Sequence, residues 1–130
     1  MKITRINHVA FNIHGTVDAA HAFYTEVLGL PEVPIQLPGR PPIPKSATGG
    51  SFWLQLERFQ LHAIAREKSG EPRDPSGTHV SWYVADIEEA VQHLAAKGIE
   101  RRTFGQGRDR IVWISDPAGN TVEFQQDPER

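Results

Sequence analysis

Cysteine is absent from the sequence. Disulfides and thiolate metal sites are therefore excluded, and any metal must be held by His, Asp, Glu, Asn or Gln. No apolar run approaches the roughly 20 residues that a helix needs to cross a membrane. Neither charge sign dominates: 14 Lys and Arg face 16 Asp and Glu, for a formal net charge of -2 with His neutral. That balance gives no reason to expect nucleic acid or an anionic membrane as a partner. Met1-Lys2-Ile3-Thr4-Arg5 leads straight into a strand-like segment. It lacks the apolar region and cleavage site of a signal peptide, so a cytoplasmic location is the expectation. A Gly-rich phosphate loop and a nucleophilic Ser or Cys arrangement are missing as well.

What is present suits one globular domain over residues 1–130. Apolar residues make up 38% of the chain, and the mean hydropathy is -0.43, values ordinary for such domains. Residues Ile6 to Ile13 alternate as a strand. Thr16 is placed to cap a helix in which Val17, Ala20, Tyr24, Val27 and Leu28 recur at helical spacing, and Gly29 stops it. Residues 31–50 hold Pro31, Pro34, Pro38, Pro41, Pro42 and Pro44, more than half of the ten prolines. This segment is read as a lid, a linker or an extended edge. Phe52 to Glu57 and Phe59 to Ala65 read as strands around a turn near Arg58. Residues 66–77 read as a connector.

The plan then repeats. Thr78 to Val84 reads as a strand. Asp86 caps a helix, with Glu89 expected to complete a capping box. Ile87, Ala90, Val91, Leu94 and Ala95 form its apolar stripe, and Gly98 ends it. Ile99 to Phe104, Ile111 to Ser115 and Thr121 to Gln126 read as strands, with Asp116-Pro117-Ala118-Gly119-Asn120 as a turn. Arg110 and the last four residues are expected to fray. The chain is thus α+β, two β-α-β-β-β modules over about residues 1–66 and 77–127.

Superposing the two halves pairs Asn7-His8-Val9-Ala10-Phe11 with Thr78-His79-Val80-Ser81-Trp82. Leu61-His62-Ala63 pairs with Val122-Glu123-Phe124. Two similar modules pack about a pseudo-twofold axis and bring equivalent positions to one centre. His8, His62, His79 and Glu123 are equivalent in this sense, and their types suit a borderline divalent metal. His62 is read either as a ligand or as an acid or base beside the metal. Gln60 replaces it if the strand register differs by two residues. His14, His21 and His93 are expected to be uninvolved.

Three segments carry a family resemblance. They are Ile6-Asn7-His8-Val9-Ala10-Phe11, Phe23-Tyr24-Thr25-Glu26-Val27-Leu28-Gly29-Leu30, and Asp116-Pro117-Ala118-Gly119-Asn120-Thr121-Val122-Glu123-Phe124. The sequence resembles the vicinal oxygen chelate superfamily, the glyoxalase/bleomycin resistance/dioxygenase group. The resemblance implies that the modules curl into a half-open barrel around a metal site, and that the protein is a homodimer. It implies His8, His79 and Glu123 as ligands of a divalent ion, whose identity among Fe, Mn, Co, Ni and Zn stays open. His62 departs from glyoxalase I enzymes, which usually carry Glu there, and resembles the non-ligand His of extradiol dioxygenases. The expected function is a metal-dependent lyase, isomerase or dioxygenase that chelates adjacent oxygens of a small molecule, with Glu123 or His62 moving protons. The alternative is a metal-free drug-binding protein of the bleomycin-resistance type. Trp53, Trp82, Trp113, Phe52 and Phe104 are candidates for its cleft, although packing in the core is the commoner role of such residues.

Overall fold

The computed structural model describes residues 1–130. Its strands are β1 (Ile3–Asn12), β2 (Glu32–Val33), β3 (Phe52–Gln55), β4 (Gln60–Ile64), β5 (His79–Val84), β6 (Arg102–Phe104), β7 (Ile111–Ser115) and β8 (Thr121–Gln126). They form one curled open sheet in the order β2-β3-β4-β1-β5-β8-β7-β6. The seam between β1 and β5 is antiparallel, while β1 with β4 and β5 with β8 are parallel. The sheet halves therefore mirror each other about the seam. Helix α1 (Val17–Ala22) belongs to one half and α2 (Ile87–Ala96) to the other.

Alternation along the strands separates two faces. On the helix-covered face, Phe52, Leu54, Leu61 and Ala63 pack with Val17, Ala20 and Tyr24. In the second half, Val84, Val112 and Phe124 pack against Ile87, Ala90 and Leu94 of α2. Each large apolar side chain buried here contributes about 1.5–3 kcal/mol relative to exposure. The opposite, concave face carries the intervening residues, a mixture of polar groups such as His8, His62, His79 and Glu123 with apolar ones such as Ala10, Trp53 and Trp113.

Several local expectations need correction. The first helix changes at Phe23 into a π-helical turn, Phe23–Val27. Thr25 Oγ1 donates to the His21 carbonyl at 2.7 Å, a back-bond that competes with the helical ladder. Thr16 makes no side-chain cap; its hydroxyl donates instead to the Ile13 carbonyl. Asp86 does cap α2, accepting from the amides of Glu88 and Glu89. The Glu89 carboxylate turns to the Met1 amino group at 3.1 Å, so the reciprocal half of the box is not made. The C-terminal segment is pinned at Asp127, which is buried and accepts from Thr4 Oγ1 at 2.6 Å and from Arg5 at 3.1 Å. Arg110 is likewise tied, to Glu88 at 3.2 Å. The Pro-rich segment supplies edge strand β2, one bridge between Ile35 and Ile43, and a short 3-10 turn, Lys45–Ala47.

Leu94→Ala should lower stability by about 2–5 kcal/mol, seen as a lower urea midpoint with an unchanged slope. Asp86→Ala should cost about 1 kcal/mol. Glu89→Ala should cost clearly less, and equal losses would show that the capping box forms after all.

Candidate metal centre

The seam decides where the candidate ligands lie. His8 on β1 faces Ser81 on β5, and His79 on β5 faces Ala10 on β1. Each imidazole thus sits opposite a small residue, and both rings lean inward over the seam. One strand further out, Glu123 on β8 is registered with Ser81. The same small residue leaves its carboxylate room to reach both rings.

The result is a compact set of donors. One ligand atom each from His8, His79 and Glu123 lies within 4.8 Å of the others, and all three residues are buried. His8 Nε2 stands 3.6 Å from Glu123 Oε1. His79 Nε2 stands 3.2 Å from Glu123 Oε2. The carboxylate also accepts from Ser81 Oγ at 2.9 Å, Gln125 Nε2 at 2.7 Å and Trp113 Nε1 at 2.7 Å. His79 Nδ1 bonds the Gly77 carbonyl at 2.8 Å. That contact puts the proton on Nδ1 and leaves Nε2 facing the centre.

The electrostatics follow from burial and convergence. Burial pushes the Glu123 carboxyl up, but contact with His79, the charge of His8 and the Gln125 amide outweigh it and bring the pKa to about 2. Burial lowers His8 to about 4 against the pull of Glu123. Burial also lowers His79, yet its contact with Glu123 and the Gly77 carbonyl prevail and raise it above the ordinary value. The donor set fits a divalent cation: two imidazoles, one of them anchored by its far nitrogen, and one ionised carboxylate. Such a set leaves coordination positions open for a substrate.

His62 lies beside this set. Its register confirms the equivalence with Glu123, because His62 faces Ala10 just as Glu123 faces Ser81. Its ring, however, stacks on His8 at 3.7 Å between centroids, and its Nε2 bonds Gln60 Oε1 at 2.9 Å. Gln60 in turn donates to Gln55 at 3.1 Å. The remaining histidines lie elsewhere: His14 bonds the Ala65 carbonyl, His21 pairs with Glu32, and His93 sits in the last turn of α2.

Two cavities flank the site. One of about 450 Å³ reaches His8, His79 and Glu123 and is walled by Ile35, Ile43, Phe104 and Trp113 among others. The other, about 810 Å³, is lined largely by polar groups, including Arg5, Asn7, Arg58 and Tyr83. His8, Leu37, Trp53, His62 and Gln125 border both. Of the expected cleft aromatics, Trp53, Trp113 and Phe104 line the apolar cavity. Phe52 and Trp82 pack on the helix-covered face. The Pro-rich segment roofs the trough: Gly39 abuts Asp109, and Arg40 lies over the Phe104 ring at 4.8 Å.

Arg5 and Asn7 were not singled out by alternation, and a bulge explains why. Ile6 pairs with Trp82 but His8 pairs with Ser81, so Asn7 is an extra residue. The bulge brings Arg5 to the concave face opposite Tyr83 and lets Asn7 Nδ2 donate to Ser81 Oγ at 3.3 Å. No glycine marks it, so strict period-two reading sends both side chains the wrong way.

The family model for the Glyoxalase/Bleomycin resistance protein/Dioxygenase superfamily matches residues 5–124. No curated protein matches the chain. Among solved structures, methylmalonyl-CoA epimerase from Mycobacterium tuberculosis is similar, with 16% identity, a TM-score of 0.65, and coverage of 98% of this chain and 91% of that one. A Streptomyces coelicolor methylmalonyl-CoA epimerase variant in complex with 2-nitronate-propionyl-CoA gives 16% identity, a TM-score of 0.66, and coverage of 98% and 99%. A superfamily member from Vibrio splendidus gives 21% identity, a TM-score of 0.57, and coverage of 97% and 100%. The structural likenesses establish the curled-sheet fold, and the sequence match over nearly the whole chain places this protein in the Glyoxalase/Bleomycin resistance protein/Dioxygenase superfamily.

Proposed function

We propose that this chain is a divalent-metal-dependent enzyme that holds a small molecule by two adjacent oxygens and moves a proton beside them, as a lyase or isomerase. The observation that carries this reading is the convergence of His8, His79 and Glu123 on the floor of an apolar cavity. We assign these three as the ligands. When bound, the metal supplies Lewis-acid stabilisation of charge developing on the substrate oxygens.

The chain's own groups do the rest. Ser81, Gln125 and Trp113 hold the Glu123 carboxylate in orientation. Ile35, Ile43 and Phe104 give one side of the cavity an apolar wall, where a bound substrate would displace water and strengthen the charge interactions beside it. We assign proton transfer to His62. Gln55 Nε2 donates to backbone carbonyls, so its Oε1 accepts from Gln60, and Gln60 Oε1 accepts from His62. This relay puts the His62 proton on Nε2 and leaves Nδ1 as the basic nitrogen. Likeness in fold to methylmalonyl-CoA epimerases supports proton transfer next to a carbonyl.

A second reading, extradiol-type dioxygenation, is favoured by one feature: His62 stands outside a two-His, one-carboxylate set typical of non-haem Fe(II). In either case the protein acts on a small molecule. We place it in the cytoplasm as a homodimer, with Phe23, Val27 and Leu28 exposed for contact. No helix is long and apolar enough to cross a membrane.

Elemental analysis of protein purified without chelator should find one equivalent of metal, lost in both His8→Ala and Glu123→Ala. No metal, and no uptake when Co(II), Zn(II) or Fe(II) is added, would move the protein to the metal-free binding class. Deuterium incorporation into methylmalonyl-CoA in D₂O would favour the isomerase reading. O₂ uptake with catechol by the Fe(II) form would favour the dioxygenase.

The roof gives a separate prediction. Gly39 has φ +68°, and a side chain there would run into the Asp109 carboxylate. Gly39→Ala, or shortening residues 38–50, should weaken binding of the apolar dye 8-anilinonaphthalene-1-sulfonate severalfold and leave Co(II) affinity unchanged. Equal loss of both would show that the segment supports the metal centre and is no lid.

A further inference from the structure

His8 and His79 are oriented by different means. His79 has the usual anchor of a ligating imidazole, a hydrogen bond from its far nitrogen to a backbone carbonyl. His8 has none, since its Nδ1 is buried without a partner. The faces of the two rings differ as well. His8 stacks on His62 at 3.7 Å with 21° between planes, and His62 stacks on Trp53 at 3.6 Å with 3° between planes. The ring normal of His8 is thus fixed by a column, where that of His79 is fixed through its hydrogen bond.

The column is written into strand register. Trp53 faces His62 directly across β3 and β4, on the side of the sheet away from α1. On the other flank, His62 faces Ala10 of β1, which is fully buried. A methyl group cannot fill that place, so the His62 ring leans along β1 onto His8, two residues away and on the same face. Such diagonal neighbours are within reach of aromatic side chains. In the second half, Glu123 leans over Ser81 in the same way, but it turns its oxygens to the imidazoles. His62 turns its Nε2 outward to Gln60.

We propose that Trp53 and His62 are positioning residues whose stacked rings aim His8 at the metal, with His62 itself outside the coordination shell. The inference rests on the metal-centre reading above. It gives His62 a task separable from proton transfer: stacking needs only an aromatic face, whereas ligation and proton transfer need a ring nitrogen.

Phenylalanine at position 62 separates these. Co(II) affinity would be measured by titration calorimetry on the full chain, with the visible Co(II) ligand-field spectrum as a second readout. His62→Phe should bind within about threefold of the parent and keep its spectrum, while His62→Ala should lose about 10- to 100-fold, the usual effect of removing a residue that orients a ligand. Trp53→Phe should stay near the parent, and Trp53→Leu should weaken binding. Equal weakening in His62→Phe and His62→Ala, with a shifted spectrum, would make His62 a ligand and overturn the proposal. Parent-like binding by His62→Ala would remove the positioning role. If His62→Ala does not fold, the spectrum of His62→Phe and the two Trp53 variants decide the matter by themselves. Failure of the parent chain to bind Co(II) overturns the metal-centre reading, and this proposal with it. Loss of affinity in the variants alone leaves that reading intact.

Discussion

The antiparallel seam between β1 and β5 governs the rest of the molecule. It joins two halves of a sheet that would otherwise each end in an unpaired strand. It also sets His8 against Ser81 and His79 against Ala10. Large polar rings can share the centre only because the residues facing them are small. A slip of one residue in this register would put the two imidazoles on opposite faces of the sheet and dissolve the site. Fold and candidate function therefore depend on the same set of backbone hydrogen bonds.

The two halves have diverged in how they use equivalent positions. In the second, Glu123 is gathered by Ser81, Gln125 and Trp113 and faces the imidazoles. In the first, His62 is gathered by Gln60 and Trp53 and presents its face. Neutral rings stack closely where two cations would repel. Burial, together with neighbouring His8 and His79, keeps His62 well below its ordinary pKa, and burial keeps His8 low as well. The asymmetry leaves one side of the donor set free of protein ligands, where the apolar cavity opens beneath the Pro-rich roof.

Much of this could be read from the residues. The internal repeat singled out His8, His62, His79 and Glu123 as equivalent, and strand register pairs them with small residues of the seam. The aromatics were not sorted by face, since Phe52 and Trp82 pack under the helices while Trp53 and Trp113 line the trough. Gly29 and Gly98 marked the ends of the helical segments, and both have positive φ. What escaped has physical causes. The bulge at Asn7 carries no special residue type, so Arg5 and Asn7 could not be placed on the concave face. The π turn at Phe23–Val27 leaves no mark in the apolar spacing; Thr25, whose hydroxyl bonds the carbonyl four residues back, lies within it. The pinning of Asp127 by Thr4 and Arg5 joins the two ends of the chain, which no local pattern reveals. The choice between ligation and stacking for His62 depends on where Gln60 and Trp53 point, and that is set by tertiary packing.

The central claim is that the β1/β5 seam makes His8, His79 and Glu123 one coordination site. It is tested most directly by the anomalous scattering of crystals grown with Co(II). The account predicts a single strong peak between His8 Nε2, His79 Nε2 and the Glu123 carboxylate, with His62 still stacked on His8. A peak only at surface residues, or no peak at the seam under saturating Co(II), would contradict it.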